Sequence, residues 1–344
     1  MSILRVFVGL DYHDDFVRVC VLDADGTVLV NRNCANDVEA VGECIFGKGI
    51  PDSIAIEACG GAADFASKLS QMYGWEVRLA HPGYVNKLKQ SPDKSDCTDA
   101  ELLADLVRVN YLPEVWLAPE ETRQLRRLAR FRQSLAAERK RIKQQIRSLL
   151  IEERLKCERA NPWTKDWMDW VRHEAALGEQ ARWVMNEQLN RLEAIHKQME
   201  RVETRCAEVT QDDRLMQSLL AQPGIGLVTA FVMRAEIGTI DRFKSGKQLS
   251  RFCSVTPLNA SSGKRQADAG MVKQANPELR RVVVEAAQRL GRYDPRFQKF
   301  KRQLVERGKP ASVAIVAVAN RWIRGLYHQL KQVRQDNQMF QAVT

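Results

Sequence analysis

Apolar positions in the first third of the chain come in short runs rather than at helical spacing. Residues 4–10, 16–22 and 27–30 are rich in Val, Leu and Phe and are separated by the polar turns Asp11 to Asp15 and Ala24-Asp25-Gly26. Runs of this length bounded by turn residues predict three strands joined as an antiparallel meander. A helix over about 37–46 follows, then a buried strand at 53–57 that runs into Cys59-Gly60-Gly61, a helix over 62–73, a strand over 75–80 and a helix over about 98–109. Strands that pair antiparallel first and then alternate with helices predict an α/β domain of RNase H-like order, with a mixed sheet covered by helices.

The period changes after Pro119. Leu128, Leu135, Ile142 and Leu149 recur at seven-residue steps, with Leu125 and Ile146 beside them, and a second seam runs through Leu192, Ile195, Met199, Val202, Cys206 and Val209. Two long amphipathic helices of this kind predict an antiparallel hairpin or an oligomeric coiled coil. The segment between them carries Trp163, Trp167, Trp170 and Trp183, rings suited to stapling the hairpin tip. The last third reads as mainly α. Pro223-Gly224-Ile225-Gly226 between two helices resembles a helix–hairpin–helix turn, in which Gly224 and Gly226 let backbone N–H groups approach a phosphate. A loop over 256–273 carries Ser261, Ser262, Lys264 and Arg265, and Asn276-Pro277 opens a further helix with Arg280 and Arg281 in its first turns. The pattern divides into 1–118, an α/β domain; 119–212, a coiled-coil or helical-hairpin region; and 213–344, a third domain.

Charge sharpens this picture. The net charge is +10, which favours a polyanionic partner. A membrane span is not expected, because no apolar run approaches the ~20 residues a span needs. The first residues lack the layout of a signal peptide, and the eight cysteines include no C-x-x-C pair, so the reading is a cytoplasmic protein with reduced core thiols. Helix 121–147 exposes Arg123, Arg126, Arg127, Arg130, Lys140 and Arg141, either as a solvated helix face or as a contact to nucleic-acid backbone.

Four acids are the candidate chemistry. Asp11 ends the first strand and Glu57 ends the apolar stretch Ile54-Ala55-Ile56, where a buried carboxylate needs a partner or a metal. Asp96 and Asp99 are three apart at a helix start and so share a face. Each alone has a plain alternative: a turn former for Asp11, dipole-favoured N-terminal acids for the pair. Together they are suited to holding Mg²⁺ against a phosphodiester, because Mg²⁺ takes oxygen ligands and keeps positions open for substrate. His13 lies near Asp11 and reads as a solvated turn residue or a substrate contact. Ser262 has no histidine near it in sequence and on its own is ordinary loop material.

Taken in order, Gly9-Leu10-Asp11, Ile56-Glu57-Ala58, Lys94-Ser95-Asp96-Cys97-Thr98-Asp99-Ala100, Pro223-Gly224-Ile225-Gly226, Pro257, Ser262-Gly263 and Leu279-Arg280 resemble the DEDD-type insertion-sequence transposases of the one-hundred-and-ten group, relatives of the Piv DNA invertase. The resemblance implies a RuvC-like domain, a coiled coil and a transposase domain with a catalytic serine. Asp11, Glu57, Asp96 and Asp99 would then bind Mg²⁺. Ser262 (or Ser261, although the spacing from Pro257 favours Ser262) would form a covalent 5′-phosphoserine with DNA. It also implies donor and target DNA and a structured noncoding guide RNA as partners, a dimer or tetramer, and a site shared between protomers. Two other readings stay open: a RuvC-like, structure-specific Mg²⁺ endonuclease without a covalent intermediate, and a nucleic-acid-binding scaffold without activity.

Overall fold

The computed structural model describes residues 4–88, 95–259, 268–271 and 276–343. The chain separates into two compact units, Met1–Glu121 and Thr122–Thr344.

The first unit is an RNase H-like mixed α/β domain. Its elements are β1 (Arg5–Tyr12), β2 (Phe16–Leu22), β3 (Val28–Ala35), α1 (Val38–Phe46), β4 (Ile50–Glu57), α2 (Ala62–Tyr73), β5 (Val77–Ala80), α3 (Pro82–Leu88), α4 (Asp96–Arg108) and β6 (Glu114–Val115). The sheet order is β3-β2-β1-β4-β5-β6. β1, β2 and β3 form the antiparallel meander, whereas β1–β4 and β4–β5 are parallel, as the crossover helices require. The third strand reaches Ala35, and α3 and β6 add to the elements read from the sequence. Both were hidden for the same reason: a seven-residue helix and a two-residue edge strand are too short to show a period. Val6, Val8, Leu10, Ile54 and Ile56 fill the core on the face covered by α1 and α2.

The second unit is mainly helical: α5 (Glu120–Glu152), which begins at the boundary, α6 (Lys165–His173), α7 (Glu179–Glu208), α8 (Arg214–Leu220), α9 (Leu227–Ile237), α10 (Gly246–Phe252), the ribbon β7 (Pro257–Asn259) and β8 (Asp268–Met271), α11 (Pro277–Tyr293), α12 (Pro295–Glu306) and α13 (Ala311–Val343). α5 and α7 pack antiparallel: Arg132 pairs with Glu203 at 2.8 Å and Arg191 with Glu138 at 3.6 Å. The buried seam of α5 runs through Leu125, Ala129, Leu135, Ile142, Ile146 and Leu150, while Leu128 and Leu149 are only half-buried. The contact therefore departs from the strict seven-residue stripe. Trp167 is buried at the hairpin tip, and Trp183 is 64% exposed. One continuous core joins this hairpin to α8, α9, α11 and α13. Three guanidiniums serve the C-terminal carbonyls of α9. Arg126 donates to Ala235 and Glu236, Arg242 to Glu236 and Ile237, and Arg234 to Gly238.

Candidate metal centre

The register of β1 on β4 pairs Leu10 with Ile56, so the next residues, Asp11 and Glu57, leave adjacent parallel strands side by side at the same sheet edge. α4 completes the group by lying directly on β1. Gly9 makes that approach possible: a Cβ there would sit 1.9 Å from the Ala100 carbonyl oxygen and 2.5 Å from the Ala104 nitrogen. The start of α4 is fixed from the other side by Asn31, whose Nδ2 donates to the Cys97 carbonyl at 3.1 Å, while Arg18 holds Asn31 Oδ1 at 2.7 Å. Asp96 opens this helix and Asp99 follows one turn on, 8% exposed.

Among the described residues, Asp11, His13 and Asp96 form a group whose ligand atoms all lie within 4.8 Å of one another. His13 Nε2 is 3.1 Å from Asp11 Oδ2 and 3.6 Å from Asp96 Oδ1. Burial pushes the Asp11 carboxyl above its ordinary pKa; the hydrogen bond and charge of His13 pull it back, and the charges of Asp96 and Asp99 push it up again. The Cys59 thiol, in the loop after β4, is pushed above its ordinary pKa by burial first and further by the charges of Glu57, Asp11 and Asp14. Cys59 is exposed, unlike the buried Cys20, Cys44, Cys206 and Cys253, and so departs from the expectation of a core thiol.

These donors fit a hard divalent cation. Two carboxylates from separate elements converge, a buried acid lies one turn away, and an imidazole sits between the two carboxylates. His13 is the residue whose position the sequence left open. The signal was the i, i+2 spacing in Asp11-Tyr12-His13, which puts both side chains on one side of an extended chain.

The other candidates are dispersed. Ser261, Ser262, Lys264 and Arg265 lie outside the described residues. Gly224 takes a left-handed φ of 74°, its carbonyl accepts from Arg289, and Gly226 caps α9 without a side-chain bond. Arg126 is half-buried on the α9 carbonyls and 3.5 Å from Glu236, so its guanidinium is committed within the fold. Arg281 is held by Glu278 and Glu285. Arg280 is half-buried beside Lys247 and Arg321 in a cavity of about 1070 Å³. Arg127, Arg130, Lys140 and Arg141 are exposed on α5, and Arg123 is half-buried there.

A central pair of parallel strands ending in carboxylates, closed by an acidic helix on a sheet of this order, defines a magnesium-dependent nuclease or transposase of the RNase H superfamily. Comparison with known proteins narrows the class. A transposase model of the DEDD IS110 type matches residues 8–153, and one described as transposase IS116/IS110/IS902 family matches residues 216–302. The chain is 28% identical over 326 residues to the transposase for insertion sequence element IS1111A of Coxiella burnetii, covering 91% of this chain and 86% of that protein. It is 26% identical over 237 residues to the transposase for IS1328 of Yersinia enterocolitica, covering 69% and 70% of the two chains. Over 123 residues it is 32% identical to the pilin gene-inverting protein of Moraxella bovis, covering 34% and 37%. The chain belongs to the IS110 family and is a transposase or recombinase enzyme. No described helix is long and apolar enough to cross a membrane.

Proposed function

We propose that the carboxylate cluster cuts DNA strands with Mg²⁺ as cofactor, as a RuvC-like endonuclease does, and that this cut begins the movement or inversion of a DNA segment. The observation that carries the reading is the convergence of Asp11, His13 and Asp96 within 4.8 Å at the sheet edge where Glu57 also ends its strand. Asp11 and Asp96 would hold the ion, with Glu57 and Asp99 completing the acidic surround. When bound, Mg²⁺ supplies Lewis-acid stabilisation of the charge that grows on the phosphate oxygens. His13 offsets the carboxylate charge when protonated and can carry a proton at Nε2, 3.1 Å from Asp11. Element-end DNA incubated with Mg²⁺ tests this. Asp96→Asn and Glu57→Gln should each lose cleavage by about a thousandfold or more, and unimpaired cutting by Asp96→Asn would overturn it.

A second reading adds a covalent step, and the match of residues 216–302 to the transposase family supports it. The Ser262 hydroxyl would attack the phosphorus, the P–O3′ bond would break, and the departing 3′-oxygen would take up a proton. The resulting 5′-phosphoserine would be reversed by an incoming 3′-hydroxyl. Rejoining without net hydrolysis suits a transposase better than a simple cutter. The motif resemblance, rather than the family match, further implies a structured noncoding RNA that pairs with donor and target DNA, and a dimer or tetramer with coiled-coil contacts between long helices. A protein–DNA adduct that Ser262→Ala abolishes, and that forms only with flanking-region RNA present, is the expected result. Hydrolysed ends without an adduct would leave the endonuclease alone.

A further inference from the structure

A second charged feature lies in the helical unit, on the opposite sign of the ledger. Arg139, Lys143 and Arg147 follow one another at i, i+4 and i+8 along α5, a step of about 6 Å. That step is close to the phosphate spacing along one nucleic-acid strand. Together with Lys140 they line a groove of about 630 Å³. None of the four has an ion-pair partner among the described residues, although α5 and α7 pair other charges freely. Burial and the neighbouring Arg139 hold the Lys143 amine below its ordinary pKa, and the same two cations add to the lowering of His196 across the hairpin. The far wall is not acidic in effect, because Glu278 is taken up by Arg281.

The connector between α5 and α7 supplies the aromatic that the helix lacks. Trp163 lines the groove, and its ring lies beneath the Lys143 amine at 4.5 Å and beside Trp167 at 4.7 Å between centroids. Its backbone takes φ 73°, a conformation that bulky side chains rarely adopt.

We propose that this groove binds a single-stranded segment of nucleic acid, with the backbone phosphates tracked by Arg139, Lys143 and Arg147 and an unstacked base against Trp163. Like cations crowded without counter-charge, beside a half-buried indole, form the two halves of a single-strand site, and base stacking is tolerant of sequence. Lys143 covers the ring and would move to a phosphate as a base arrives. The groove belongs to the helical unit and the carboxylate cluster to the first unit, so binding can be tested without cleavage.

The test uses the full chain and fluorescence anisotropy of labelled 12-residue oligo-dT and oligo-U, with a duplex DNA of equal length as the third arm. The exposed and half-exposed cations are neutralised together as Arg139→Gln/Lys143→Gln/Arg147→Gln. Single-strand affinity should fall more than tenfold, and the slope of log affinity against log salt should become shallower by about 2, from ~0.7 per phosphate lost. Duplex affinity should change far less. Trp163→Ala should weaken single-strand binding about fivefold or more, and Trp163→Phe should retain most of it. A preference for oligo-U or for oligo-dT would identify the strand as RNA or DNA; equal affinity would mean that phosphate and stacking alone are read. Unchanged single-strand affinity and salt slope in the triple variant overturns the proposal, as does an equal loss on duplex.

Discussion

The carboxylate cluster and the α5 stripe are both crowds of like charge, but the chain assembles them in opposite ways. The acids come from separate strands and a helix far apart in sequence, meet partly buried, and include a carboxyl pushed above its ordinary pKa. The stripe comes from one helix at four-residue steps, and its end residue Arg147 is exposed. Long-range packing therefore controls the first and helical periodicity the second. The acidic site can be broken by a residue that carries no charge, whereas the stripe changes only when its own members do.

Gly9 is the sharpest place to break the comparison. Gly9→Ala puts a Cβ against backbone atoms of α4, which cannot rotate away, so α4 must shift along with Asp96 and Asp99. Overpacking of this kind costs about 1–3 kcal/mol, and an ångström of misplacement can lower a rate about a hundredfold. The variant should fold with a lowered melting temperature and lose DNA cleavage by that factor, while single-strand binding at α5 stays unchanged. Cleavage at the wild-type rate would show that α4 reaches its place without the close contact.

Arginines on one helix sharpen the same contrast and show where sequence reading stops. Arg126 and Arg130 are four apart on α5 and look alike in the sequence. Arg130 is exposed, whereas Arg126 turns inward to the α9 carbonyls and Glu236, where burial lowers its pKa. Nothing local distinguishes them, because the difference lies in a helix more than a hundred residues downstream. Arg126→Met should destabilise the protein by about 3 kcal/mol, since it leaves Glu236 buried with less compensation. Arg130→Met should stay within about 0.5 kcal/mol. Denaturant unfolding of the two variants measures the gap, and equal stabilities would deny Arg126 its structural part.

The same limit explains the acids and His13. The strand pattern placed Asp11 and Glu57 at strand ends because period-2 burial is local, and the helix start placed Asp96 and Asp99. That β1 and β4 are neighbours, with Leu10 opposite Ile56, follows from the parallel crossover and is only implicit in the alternation of elements. His13 could not be distinguished from a solvated turn residue without knowing that α4 brings Asp96 to it. Trp163 is the parallel case in the helical unit: α5 reads as a basic helix in the sequence, but the ring beside its cations comes from the connector.

The smallest expected effect tests the acidic cluster's electrostatics directly. The Asp11 carboxyl lies above its ordinary pKa in the fold, chiefly through burial, so between the ordinary value and the raised one the folded state binds more protons than the unfolded state. Stability of the metal-free protein must then fall as pH rises through that window. Asp11→Asn removes the ionisation, so in chelator at neutral pH it should melt above the wild type. The advantage should vanish when both are measured below the ordinary carboxylate range, where Asp11 is protonated in both states. Mg²⁺ should reverse the order: a ligand at a hundred times its Kd adds about 2.7 kcal/mol to a protein that binds it, and the variant has lost one of the acids that would hold it. A crossing of the two melting temperatures on adding Mg²⁺ is therefore the expected result. If Asp11→Asn instead melts lower in chelator, the ion pair with His13 outweighs burial and the cluster is balanced without a cation.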